Sequence, residues 1–225
     1  MQENDKALTS YLSGFVTDRR KQRLQGVLNE RMRHMCVVLE DVYQAHNASA
    51  VLRSCDCFGI QDVHFIENKH KFKISEEVSM GSTQWLNIKK YNGEEQNNTK
   101  QCLQELKNKG YRIVATTPHK NDTTIAELDI SKPFALVFGT EITGITDDVM
   151  EMADEFVKIP MYGFTESFNI SVSAALCMYE LTTRIRRSGL NYKLNEKEKE
   201  EIYFDWIKAS INRVDLIIED YNNKH

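Results

Sequence analysis

With 225 residues, 41% hydrophobic and 28% charged, the chain can bury one substantial core and keep a wet surface. No apolar run approaches the roughly 18 residues that cross a bilayer, and residues 1–30 hold no signal-peptide core, so no membrane role and a cytoplasmic location are expected. The net charge of -4 is not that of a general nucleic-acid binder, which shifts attention from total charge to its distribution.

Taken in chain order, residues 1–32 read as helical, with Leu8, Leu12, Phe15, Val16, Leu24, Val27 and Leu28 at helical spacing. Gly14 and the Thr17-Asp18 step mark a break between two short helices. Between Arg19 and Arg33 the chain carries Arg19, Arg20, Lys21, Arg23, Arg31 and Arg33 against the single acid Glu30, a basic patch inside an acidic chain. The β-branched run at 35–42 reads as a buried strand, and a helix follows with Asn47 as its N-cap, Ala50, Val51, Ser54 and Phe58 on one side, and Gly59 as its stop. A second strand lies at 62–67, then a polar stretch and a loop leading to an edge strand near Tyr91. An amphipathic helix is expected over 94–109, ended by Gly110, and a strand over 111–117 stopped by Pro118. The most apolar strand is 134–139; a short helix capped by Thr146 and a strand closed by Pro160 come next. Residues 170–187 read as a helix of small and apolar residues, 189–195 as a linker, and 196–222 as one long acidic helix.

Strands alternate with helices from 35 to 187, which predicts an α/β domain with a mostly parallel sheet and helices on both faces. The domain is placed at 34–189, between a basic helical extension at 1–33 and a second helical extension at 190–225. The five cysteines are expected to be free thiols, and Cys55-Asp56-Cys57 has no second Cys or His pair at zinc-like spacing, so no metal is expected.

Sheets of this type bind ligands beyond the carboxyl ends of their strands, so the loops after Leu39, Val114, Phe138 and Ile159 matter most. The loop at 138–145 places Gly139 and Gly144 around Glu141 but lacks both the dinucleotide fingerprint and the P-loop signature. The start of the 170–187 helix offers Glu166, Ser167 and Asn169, which is more than one helix cap requires.

Three motifs stand in these loops in a fixed order. The first, Asn-x-x-Ala-x-x-Arg-Ser, is Asn47 through Ser54 with Phe58-Gly59 behind it. The second, Phe-Gly-x-Glu-x-x-Gly, is Phe138 through Gly144. The third is Ile159 through Ala174. Together they resemble the SpoU/TrmH family of SPOUT-class RNA 2'-O-ribose methyltransferases; the resemblance spans about 35–187 and is strongest to the branch that acts on a tRNA guanosine ribose at position 18 of the D-loop, with ribosomal RNA or another tRNA position as the alternative.

The resemblance implies a deep C-terminal trefoil knot, a homodimer and S-adenosylmethionine as methyl donor. It places the donor against Thr116, Thr117, Phe138, Gly139, Ile159, Met161 and Phe168. It makes Arg53 the central catalytic residue, oriented with the ribose and phosphate by Asn47, Ser167 and Asn169, with Glu141 acting across the subunit interface. It assigns Arg19, Arg20, Arg23 and Arg184 to tRNA phosphates, and Ser171, Ser173, Ala174 and Ala175 to close helix packing between subunits.

Overall fold

The two most apolar runs become adjacent central strands, β1 (Met35–Glu40) and β6 (Phe134–Phe138), with every residue of both buried. The computed structural model describes residues 3–71, 75–94, 96–118, 123–140 and 143–224. Around these two strands stand β2 (Asp62–Ile66), β3 (Asn87–Tyr91), β4 (Arg112–Thr116), β5 (Thr123–Thr124) and β7 (Glu155–Lys158). The sheet has seven strands in the order β3-β2-β1-β6-β4-β7-β5, and each pairing is parallel. Edge strand β3 was expected; β5, at two residues, is too short to leave a sequence pattern.

Alternation along β1 and β6 feeds two separate cores. Met35, Val37, Leu39, Phe134, Leu136 and Phe138 face one side, packed with α3 (Ala45–Phe58) and α7 (Ile170–Arg187). Cys36, Val38, Ala135 and Val137 face the other, against α5 (Asn98–Asn108) and α6 (Asp147–Met152). A sheet covered on both faces needs no polar alternation, which is why these strands read as continuous apolar runs.

Several boundaries differ from the sequence expectation. Helix α3 starts at Ala45 with Gln44 as N-cap, so Asn47 is inside its first turn and not its cap. Its buried stripe is Ala48, Val51, Leu52 and Cys55, one step round from the side expected. Helix α5 starts at Asn98, where the Asn97 side chain accepts from the Lys100 N–H. A short helix α4 (Glu76–Ser79) and a 3-10 turn at Ser82–Trp85 occupy the stretch expected to be loop.

Two compact units divide the chain: Met32–Tyr192, which holds the sheet, and Met1–Arg31 with Lys193–His225. The second unit packs α1 (Glu3–Ser13), α2 (Asp18–Leu28), α8 (Glu196–Ala209) and α9 (Val214–Lys224). The break between α1 and α2 falls where expected. The single helix expected over 196–222 is instead α8 and α9, parted at Arg213, whose φ of 54° no helix tolerates. Asn195 and Glu198 form a reciprocal capping box at the start of α8.

Candidate active site

Strand order reverses direction between β1 and β6. From β1 the chain moves outward to β2 and β3; from β6 it moves past β4 to β7. The crevice beyond the carboxyl ends of two such strands is where open parallel sheets take ligands. Here the loops after β1, β6, β4 and β7 line up side by side at that end.

The loop after β1 leads into α3. Asn47 is buried there, its Nδ2 donating to Gln44 Oε1 at 3.1 Å and its Oδ1 accepting from Asn169 Nδ2 at 3.2 Å. Asn169 is also the N-cap of α7, its Oδ1 accepting from the Ser171 N–H at 2.9 Å and Oγ at 2.6 Å. One amide therefore both starts α7 and ties the third motif to the first. Arg53 is further along α3, about 9 Å from Asn47 along the axis. It is exposed and makes no hydrogen bond or ion pair with another described residue, so its guanidinium is available to an anionic partner.

The loop after β6 is folded on itself. Thr140 N–H donates to Gly144 O at 2.8 Å and Gly144 N–H returns to Thr140 O at 3.1 Å. A Cβ on Gly139 would come within 2.2 Å of the Gly144 carbonyl carbon, so only glycine fits. Gly144 has a φ of 70°, the second reason for glycine in this turn. Phe138 is buried in the core as a wall beneath the loop. Glu141 lies outside the described residues.

After β4, Thr116 Oγ1 donates to Val137 O at 2.9 Å, and Thr117 N–H donates to Val157 O at 3.1 Å. These bonds fix the end of β4 to both its neighbours. After β7, Ile159 packs on the core and Met161 is half-buried, while Ser167 and Phe168 are exposed. The structure thus brings Asn47 and Asn169 together and leaves Ser167 and Arg53 open to solvent.

The basic patch divides by role. Arg19, Arg20 and Arg23 are exposed on α2. Arg31 is buried over the Trp206 ring at 5.2 Å, Arg33 pairs with Asp62 at 3.0 Å, and Lys21 pairs with Asp18 at 2.6 Å. Arg184 does not stand free for RNA: it donates to the carbonyls of Ile125 at 3.0 Å and Leu128 at 2.7 Å, which makes it a clasp between α7 and the segment before β6. Ala174 is turned into the core, so it does not line an outer face of α7; that face presents Val172, Leu176 and Tyr179.

Sequence reasoning assigned no site role to the acid pair at the end of β1. Glu40 is buried, accepting from Thr99 Oγ1 at 2.7 Å, Thr146 Oγ1 at 2.8 Å and Thr146 N–H at 3.1 Å. It holds the exit of the Gly139 loop to β1. Two adjacent acids at the end of an apolar strand were the available signal. Burial raises the Cys102 and Cys177 thiols to about 12, so neither serves as a nucleophile. Among the described residues no group of three His, Cys, Asp or Glu side chains is arranged to hold a metal ion, and no helix is long and apolar enough to cross a membrane.

The model of the SpoU rRNA methylase family matches residues 34–179. The chain belongs to this family. A tRNA (guanosine(18)-2'-O)-methyltransferase of Borreliella burgdorferi is 42% identical over 92% of this chain and 92% of its own length. The tRNA (guanosine(18)-2'-O)-methyltransferase of Escherichia coli K12 is 30% identical over 83% of this chain and 81% of its own. The crystal structure of the Aquifex aeolicus TrmH/SpoU tRNA modifying enzyme superposes with a TM-score of 0.77 at 33% identity, covering 87% of this chain and 98% of that one.

Proposed function

We propose that this SpoU-family chain methylates the ribose 2'-hydroxyl of guanosine 18 in tRNA, as its relatives are named for doing. The observation that carries the reading is the Asn47–Asn169 contact, which joins the first and third motifs at the reversal of the sheet, on the helix that presents an unengaged Arg53. S-adenosylmethionine supplies, when bound, a methyl group made electrophilic by its sulfonium. The bonds between Thr140 and Gly144 fix the backbone at this end of β6, and a backbone held in place there fits a ligand bound through main-chain groups. Thr116, Thr117, Phe138, Gly139, Ile159, Met161 and Phe168 would hold it, the apolar side chains as walls and their backbones as partners.

A ribose hydroxyl is a weak nucleophile, so the residues must orient it and ease the loss of its proton. Asn47, Ser167 and Asn169 orient the ribose and its phosphate. The Arg53 guanidinium stays charged at any ordinary pH, so its part is to stabilise negative charge on the 2'-oxygen while the proton departs toward an RNA phosphate. Glu141 is proposed to steady Arg53 from the partner subunit. Arg19, Arg20 and Arg23 meet tRNA phosphates, and the work is done in the cytoplasm, where tRNA is found.

The proposal includes a homodimer and a C-terminal knot. Val172, Leu176 and Tyr179 form an exposed apolar stripe along α7, suited to a second copy. A threaded path is supported by α7 returning against α3 while Arg184 clasps the 125–128 segment, although β7 lies beyond β4.

The test is transfer of a labelled methyl group to unmodified tRNA. Arg53→Ala is expected to lower kcat by about 100-fold or more while S-adenosylmethionine still binds. Unchanged turnover would remove Arg53 from the site.

A further inference from the structure

Beside the site, Tyr43 stands 68% exposed on the short segment between β1 and α3. Its ring is held edge-on to His70, with centroids 5.0 Å apart and planes at 74°. His70 belongs to a turn that is fixed from beneath. Asp41 is buried, and its Oδ1 accepts from the N–H groups of Asn68 at 2.8 Å, Lys69 at 2.8 Å and His70 at 3.3 Å. Asp41 holds a φ of 47°, a left-handed conformation that Asp tolerates better than most residues. The Asn68 side chain donates to Thr99 Oγ1 at 2.8 Å, and Thr99 in turn donates to Glu40. Two buried carboxylates therefore anchor one turn.

What the turn displays is cationic. Lys69 and Lys71 are exposed and form no ion pair with another described residue. Asp41, the acid nearest them in the network, already accepts three backbone N–H groups. An exposed ring packed on His70, which lies between two exposed lysines in the chain, matches the two parts of a single-stranded nucleotide: a flat base and a phosphate. The position is close to the reaction. Tyr43 precedes Asn47 by a segment whose extended length is at most about 14 Å.

We propose that Tyr43 and the 68–71 turn seat an RNA nucleotide that flanks the methylated one, with the base stacked on Tyr43 and the phosphates met by Lys69 and Lys71. This rests on the RNA-methylating function proposed above. The seat reads shape and charge, not base identity, because every base has a flat face.

Binding of a fluorescent unmodified tRNA transcript tests the seat separately from turnover. Tyr43→Ala is expected to weaken binding roughly ten-fold, and Tyr43→Phe to leave it near wild type, since the ring and not the hydroxyl stacks. Lys69→Ala is expected to reduce the slope of log affinity against log salt by about 0.7 to 0.9. S-adenosylmethionine affinity is expected to be unchanged in all three, which also reports that they fold. Equal affinity of Tyr43→Ala and wild type, no binding by either, or a change of oligomeric state in Tyr43→Ala overturns the seat. Binding that obeys these expectations without methyl transfer by the wild type would overturn the functional reading and leave the seat standing.

Discussion

Asn47 and Asn169 meet at 3.2 Å across 122 positions of sequence. The sequence showed a surplus of polar groups at the start of α7 but not where each was aimed. Asn169 uses its oxygen for the cap and its amide for Asn47, so a single residue accounts for two of the roles. Direction depends on which neighbour the fold brings near, and that is a tertiary fact. The same holds for Arg184, whose basic sequence context suggested RNA while its donors close on Ile125 and Leu128 carbonyls. His64 shows a third such case. It is buried beneath Tyr91, and burial lowers its pKa from 6.5 to about 4. The unfolded chain therefore binds a proton that the folded chain refuses between those two values. Stability is fully present above pH 6.5 and falls as pH drops toward 4, by on the order of 3 kcal/mol from this residue. Urea unfolding at a series of pH values should show a shallower decline in His64→Gln than in the wild type; parallel declines would contradict the assignment.

At the scale of elements, long apolar strands and capped helices were legible because local chemistry specifies them. β1, β6 and α7 sit where the pattern put them. Boundaries moved where tertiary contacts outweighed a local signal: Asn47 is a good cap residue, yet α3 starts at Ala45 because its amide is engaged with Gln44 and Asn169. The break at Arg213 was hidden because 196–222 keeps helical spacing on both sides of it. Of the small residues of α7, Ala174 is buried in the core, while Val172, Leu176 and Tyr179 form an exposed stripe that the sequence reading did not single out. If that stripe joins two copies, Leu176→Asp places a charge in an apolar interface. Sedimentation should then give the 26.1 kDa chain alone, against twice that mass for the wild type. A wild type that sediments as a monomer would remove the dimer.

Across the whole molecule, the parallel sheet places four loops at one end and two buried acids, Glu40 and Asp41, hold neighbouring loops to β1. The α/β class, the strand alternation and the three motifs were legible in the sequence. The strand order was not, because β6 inserts between β1 and β4 through pairings that no local pattern records. The second unit gathers both ends of the chain, which sequence reading drew as separate extensions; α1 and α8 are tied by Lys6 and Glu200 at 3.0 Å. The exposed arginines of α2 belong to this unit, so positive charge is gathered locally in a chain of net charge -4. Methylation of one tRNA ribose is the reaction proposed for this site. The most direct measurement is mass-spectrometric mapping of the methylated nucleotide after incubating unmodified tRNA with the protein and S-adenosylmethionine. The account predicts a single 2'-O-methylguanosine at position 18, the position for which its relatives are named; methylation at another tRNA position, or of ribosomal RNA and not tRNA, would contradict it.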